Sequence, residues 1–215
     1  MLDLTIYAIA GPQDYPTDSI EVAFEKMSHV IESGVTFFQY RDKGMAFPQL
    51  GQREQLVAAL RAVAKLEKVT FIIDDDVKLA LNVHADGIHV GQSDLALEKL
   101  VPQLPTDMIL GLSINNLSEM TAVDNPRIDY LGLGPIFPTN SKADASASLG
   151  VEYASEILNA NQLHLPVVGI GGIQLKDLPA LKQTGLNGVA VISLLTQAQD
   201  VAATVSAMKE SWQNA

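Results

Sequence analysis

Three stretches of this 215-residue chain carry side chains whose types and spacing suit phosphate and metal chemistry. In Gln39-Tyr40-Arg41-Asp42-Lys43, an extended backbone puts Gln39, Arg41 and Lys43 on one face. An amide and two cations there can hold a polar ring and an anion, Arg41 as a fork and Lys43 as a point charge. The plainer alternative is a solvated loop in which Arg41 pairs with Asp42 or another nearby acid. Asp74-Asp75-Asp76 and Asp94 are acids that neighbouring strand ends can bring to a shared hard cation. Mg2+ typically takes one or two protein carboxylates and completes its shell with water and phosphate. Each acid could instead cap the helix that follows it. The longest small-and-polar run, 134–150, holds Thr139, Ser141 and Lys142, which could close over a phosphorylated ligand and exclude water; a plain connection is the alternative.

These residues need a frame. Short β-branched or apolar runs at 4–9, 35–40, 69–73, 87–90, 108–112, 130–133, 167–170 and 189–192 read as strands. Amphipathic patterns at 19–32, 47–67, 77–82, 95–101, 118–123, 151–161, 176–183 and 196–212 read as helices between them. Several strand runs are almost continuously apolar, as a parallel sheet covered on both sides requires. Eight such units with no linker or change of composition predict a single (β/α)8 barrel domain, α/β in class, over residues 1–215. A doubly wound open sheet is the runner-up, disfavoured because the first strand leads into Gly11-Pro12-Gln13-Asp14 rather than a dinucleotide-binding glycine turn. Either architecture puts ligands at the carboxyl ends of strands. In a barrel, the backbone amides after strands seven and eight, here near Gly171-Gly172 and Ile192-Ser193, cradle phosphate, and paired glycines let an oxyanion approach the main chain. The alternative is that glycine there serves only a tight turn. His89, inside an apolar strand, is expected to be a hydrogen-bonded core residue; His29, His84 and His164 have no metal-ligand spacing.

Composition narrows the partners. With Lys+Arg 14 against Asp+Glu 25 the net charge is −11, which disfavours nucleic acid and anionic lipid. An anionic small ligand therefore requires its cations to be concentrated locally, or a divalent metal to help. There are no cysteines, so disulfides, thiolate metal sites and cysteine nucleophiles are excluded. Without a long apolar run or a secretory leader pattern, the chain is expected to be soluble and cytoplasmic.

Six ordered segments, GVTFFQYRDKG, FIIDDDVKLALNVHADGIHVGQSD, ILGLSINN, DYLGLGPIFPTNSKADA, VVGIGGI and GVAVISLLTQAQD, resemble the thiamine phosphate synthase family over nearly the whole chain. The resemblance implies a (β/α)8 enzyme that joins hydroxymethylpyrimidine diphosphate to thiazole phosphate, releasing pyrophosphate with the help of Mg2+. It implies that Gln39 contacts the pyrimidine and that Arg41, Lys43 and Lys142 hold the diphosphate. Asp75 and Asp94 would ligate Mg2+, while Ser113, Thr139 and Ser141 would add polar contacts. The thiazole phosphate would sit on Gly171, Gly172, Ile192 and Ser193. Arg41, Lys43, Lys142 and Ser113 form the expected catalytic set. The implied mechanism is dissociative, with pyrophosphate leaving before the thiazole nitrogen captures the pyrimidine methyl cation. Three positions depart from the family pattern: Asp74 stands where Asn is usual, Asn115 where many relatives carry His, and Ser141 where Thr is common. Asp74 adds charge to the diphosphate site, so it is expected to join the metal shell or raise the metal requirement. Two rivals remain: a thiazole tautomerase, which needs a proton-transfer group of the kind missing at Asn115, and a non-catalytic barrel that binds a phosphate ester.

Overall fold

A computed structural model describes residues 2–43, 47, 51–92, 97–139 and 147–215. Its eight strands are β1 (Ile6–Ala10), β2 (Phe37–Tyr40), β3 (Thr70–Asp74), β4 (Gly87–Val90), β5 (Ile109–Ile114), β6 (Tyr130–Leu133), β7 (Val167–Ile170) and β8 (Gly188–Val191). Each pairs in parallel with the next, and β8 returns to β1, closing the barrel. The expected (β/α)8 architecture is the observed one.

The helices are α1 (Ile20–Glu32), α2 (Gln52–Glu67), α3 (Val77–Asn82), α4 (Leu97–Leu100), α5 (Leu117–Thr121), α6 (Val151–Asn159), α7 (Leu178–Gln183), α8 (Ser193–Thr196) and α9 (Val201–Gln213). Their starts follow from local chemistry. Ser19, Asp76, Asn116 and Asp200 each accept an amide N–H of the first turn of α1, α3, α5 and α9. In α1 the buried residues Ala23, Met27, Val30 and Ile31 fall at helical spacing and face the outside of the barrel, as do Val205, Met208 and Trp212 of α9. The helix expected over 196–212 begins instead at Val201, where Asp200 caps it, and Thr196 ends the separate short helix α8.

Two apolar cores result. The larger lies between the strands and the helices; the smaller fills the barrel with Leu4, Tyr7, Ile9, Phe37, Ile72, Tyr130, Val168, Ala190 and Ile192. At the amino-terminal end, register is held by a repeated device. Thr36, Asp86, Asp129 and Asn187 each stand immediately before an even-numbered strand. Each donates its backbone N–H to the carbonyl of Ile6, Phe71, Leu110 or Val167, at 2.9, 2.9, 2.8 and 2.8 Å respectively. Each side-chain oxygen then accepts the N–H of that same residue, at 3.1, 2.8, 2.8 and 2.8 Å. Both polar groups at the base of every odd-numbered strand are thereby satisfied, which a one-residue slip would undo.

Candidate active site

Alternation along the strands decides which side chains enter the barrel. The inward positions of β2 to β5 bring Gln39, Arg41, Asp74, His89 and Ser113 towards the carboxyl rim, with Asp74 in register with His89 and His89 with Gly111. The facing wall carries Ile9, Ile170, Ala190 and Ile192. The mouth is therefore polar on one side and apolar on the other, a division suited to a ligand with a charged group and a flat ring.

Arg41 and Lys43 converge as the period-two reading expects. The Arg41 side chain is only 8% exposed, so it is not solvated, and it pairs with an acid other than Asp42: its Nε lies 3.3 Å from Asp74 Oδ2. Lys43 Nζ is 3.2 Å from the same oxygen and also binds Asp75. Burial alone would lower the Lys43 pKa, but the hydrogen bond to Asp75 and the charges of Asp74 and Asp75 outweigh it and hold the ammonium above its ordinary value. Asp42 points away and pairs with Arg53, at 2.8 Å from its Nε.

The three consecutive acids separate into different tasks. Asp76 takes the capping role, accepting from Leu79 N at 2.9 Å and binding Arg53 Nη1 at 2.6 Å. Burial would raise its pKa, but the Leu79 amide and the Arg53 cation prevail and lower it. Asp74 and Asp75 face the cations instead, Asp75 with a left-handed backbone at φ 60°. Asp94, the other expected metal ligand, lies outside the described residues, as do Ser141 and Lys142. Among the described residues there is no group of three or more His, Cys, Asp or Glu arranged to hold a metal. The oxygen donors of Asp74 and Asp75 nevertheless fit a hard cation of the Mg2+ type, which needs few protein ligands when phosphate supplies others.

Sequence reasoning missed the polar chain beneath this rim. Gln39 Nε2 lies 2.9 Å from the Tyr7 hydroxyl, which lies 2.8 Å from that of Tyr130. The chain continues from Tyr130 to His89 Nδ1 at 3.0 Å, and from His89 Nε2 to Ser113 Oγ at 3.0 Å. His89 is thus hydrogen-bonded and buried, as expected, but it also connects two of the expected site residues. Gly111 makes room for it: a Cβ there would come within 2.4 Å of His89 Nδ1 and 2.3 Å of Tyr130 Cζ. Burial raises the pKa of both Tyr7 and Tyr130, so both remain phenols. The available signal was a tyrosine on each of two apolar strands together with a small residue at 111.

After β7, Gly171 and Gly172 have φ of 99° and 64°. Packing gives these glycines a reason of their own, beside the expected access for an oxyanion. A Cβ on Gly171 would strike Pro135 at 2.5 Å, and one on Gly172 the Pro138 carbonyl at 2.4 Å, so both are small because the loop after β6 rests on them. Ile136 N and Phe137 N bind Ile170 O and Gly171 O at 2.8 and 3.0 Å, fixing that loop, which leads to Thr139. Ile192 and Ser193 lie at the start of the short α8 beside it. Asn115 is turned to Glu119, its N and Nδ2 donating to Oε2 at 2.7 and 3.0 Å. A cavity of about 620 Å3 lies at the opposite end of the barrel, lined in part by Arg61, Lys65, Lys68 and Asp86. Its Arg61 is committed to Asp86 at 2.6 Å and to the His84 carbonyl, and it lies away from the carboxyl rim where barrels carry chemistry.

Comparison with known proteins identifies the family. The model of a family described as thiamine monophosphate synthase matches residues 6–195. The thiamine-phosphate synthase of Lactococcus lactis subsp. lactis (strain IL1403) is 46% identical over 98% of this chain and 97% of that protein. That of Levilactobacillus brevis is 42% identical over 97% of this chain and 95% of its own length. The solved structure of thiamine phosphate pyrophosphorylase from Pyrococcus furiosus matches with a TM-score of 0.82 at 28% identity, covering 99% of this chain and 97% of that one.

Proposed function

The chain belongs to the thiamine monophosphate synthase family, and from that membership we infer a transferase that joins the hydroxymethylpyrimidine group of its diphosphate to thiazole phosphate and releases pyrophosphate. The observation that carries this reading to particular residues is the cluster Arg41, Lys43, Asp74 and Asp75 beside an apolar wall. Two cations and two carboxylates sum to zero. A diphosphate entering this cluster replaces carboxylate by phosphate oxygens on Arg41 and Lys43, and its remaining charge needs cations from elsewhere. Lys142 is one proposed source. Mg2+ held by Asp75, Asp94 and Asp74 is the other, supplying Lewis-acid neutralisation of the leaving diphosphate.

The residues of this chain divide the remaining work. Gln39 addresses the pyrimidine edge while Ile9, Ile170 and Ile192 flank an apolar ring face. Arg41, Lys43 and Lys142 stabilise the diphosphate as the carbon–oxygen bond breaks and its electron pair leaves with the oxygen. The thiazole nitrogen then gives its lone pair to the methyl cation, forming the carbon–nitrogen bond. Ser113, Thr139 and Ser141 add hydrogen bonds, and the amides of Gly171, Gly172, Ile192 and Ser193 receive the thiazole phosphate. No covalent nucleophile is required. The bonding of Asn115 to Glu119 weighs against the tautomerase alternative, because that position offers no titratable group.

Incubation of the chain with both substrates and Mg2+, followed by phosphorus NMR, tests the reading. Coupled product and pyrophosphate in equal amounts are expected; isomerised thiazole, or binding without turnover, would overturn it.

A further inference from the structure

The five side chains Gln39, Tyr7, Tyr130, His89 and Ser113 form an unbroken line of hydrogen bonds across the barrel. Tyr7, Tyr130 and Gln39 are 1%, 0% and 2% exposed, so water cannot repair a mismatched link. Each phenol has one proton and touches a polar neighbour on either side. With His89 neutral, only two arrangements then satisfy every link. If the Gln39 amide nitrogen donates to Tyr7, Tyr7 donates to Tyr130 and Tyr130 to His89 Nδ1. His89 must then carry its proton on Nε2 and give it to Ser113, whose own proton is left for the mouth. If the Gln39 carbonyl faces Tyr7, every bond reverses, His89 carries its proton on Nδ1, and Ser113 can only accept from the mouth. Any other pattern of a neutral relay strands a buried proton or opposes two of them, whereas a doubly protonated His89 would donate both ways and uncouple Ser113 from Gln39.

We propose that Tyr7, Tyr130 and His89 are positioning residues that lock the hydrogen-bonding sense of Gln39 to that of Ser113, so that the pyrimidine edge meets a matched pair rather than two independent groups. In the sense the structure records, Gln39 Nε2 points to Tyr7. Gln39 therefore keeps its carbonyl oxygen for a ligand donor, and Ser113 keeps a proton for a ligand acceptor. A ring with these two functions exchanged finds both ends wrong at once. Discrimination is thereby sharper than two separate contacts would give. The inference rests on the reading that Gln39 addresses the pyrimidine, but the internal order of the relay does not.

Two measurements separate these dependencies. Nitrogen-15 NMR of the ligand-free protein, with the His89 ring identified by loss of its signals in His89→Gln, should give a single neutral tautomer protonated at Nε2. Tyr7→Phe, checked for native folding by circular dichroism, should turn that signal into a mixture although Tyr7 does not touch His89; Tyr130→Phe serves if Tyr7→Phe does not fold. A ring averaged between tautomers in the wild type, one protonated only at Nδ1 or at both nitrogens, or no change on cutting the relay would overturn the proposal, whether or not the chain turns over substrate. The second measurement is a cycle of Gln39→Ala and Ser113→Ala on KM for the pyrimidine diphosphate. In the wild type the combined loss should differ from the product of the separate losses by about three-fold or more, and in the Tyr7→Phe background the two losses should multiply. Multiplying losses in the wild type, or undiminished coupling without the Tyr7 hydroxyl, would also overturn it. Absence of turnover in every variant and in the wild type would instead sink the assigned reaction, leaving the tautomer to decide the relay.

Discussion

Asp74 sits where its charge matters most. Its carboxylate lies 3.3 Å from Arg41 and 3.2 Å from Lys43, so the extra negative charge relative to an amide is already compensated before a ligand arrives. In the proposed site the same contacts would make it a competitor of the diphosphate. Asp74→Asn should accordingly tighten binding of pyrophosphate measured calorimetrically without metal, and reduce the stimulation that Mg2+ gives; unchanged affinity and unchanged metal dependence would show that Asp74 does neither. Arg41→Ala should act in the opposite direction, weakening diphosphate binding by about 1.5–3 kcal/mol, the worth of a charge-assisted hydrogen bond. Wild-type affinity and rate in that variant would remove Arg41 from the site. Because the Lys43 pKa is raised, its pairing with the two acids is fully present below the ordinary lysine value of about 10.4 and is lost as pH rises through the folded value, beyond the range of these assays.

The start of α3 is the element on which this arrangement depends, since it separates Asp74 and Asp75, which pair with Arg41 and Lys43, from Asp76, which caps the helix. Asp76→Ala should remove the cap and leave Arg53 short of a partner, costing about 1 kcal/mol in a denaturant titration. The depressed pKa of Asp76 gives that loss a pH signature. Its contribution is present above the unfolded value of about 3.9 and fades as pH falls through the lower folded value, so the gap between wild type and variant should be steady near neutrality and close in acid. A gap that persists unchanged in acid would mean that the carboxylate charge is not responsible. The acids of this segment were legible as a cluster, yet not as a division of labour: capping and ligand roles look alike until the backbone turns at Asp75. Gln39, Arg41 and Lys43 were legible because a strand's alternation is a strict rule. The relay was not, because Tyr7 and Tyr130 are 123 residues apart and each reads alone as an ordinary core aromatic.

At the scale of the molecule, the alternation of strand and helix was enough to foresee eight units, while closure itself depends on register that no local pattern encodes. The paired bonds at the base of the odd-numbered strands supply it. Asp129→Ala would leave the Leu110 amide without its side-chain acceptor and release Arg127, whose Nη1 lies 2.9 Å from that carboxylate. A loss of about 1–3 kcal/mol is expected, read as a lowered midpoint of thermal unfolding with substrate affinity unchanged, since the change lies at the end of the barrel opposite the mouth. A variant as stable as the wild type would show that main-chain pairing suffices there.

Those side-chain braces join β1 to β2, β3 to β4, β5 to β6 and β7 to β8, and stop at every second boundary. Between these pairs, among the described residues, main-chain bonds cross the bases, from Thr70 N to Thr36 O, Ile109 N to Asp86 O, Leu131 N to Pro166 O and Val189 N to Thr5 O. The cylinder is therefore four two-strand modules set edge to edge, and its connections are not equivalent. Opening the chain in 160–164, between modules, leaves every brace within an uninterrupted segment, whereas opening it in 122–127 divides one, so the former is the natural place for new termini in a circularly permuted protein.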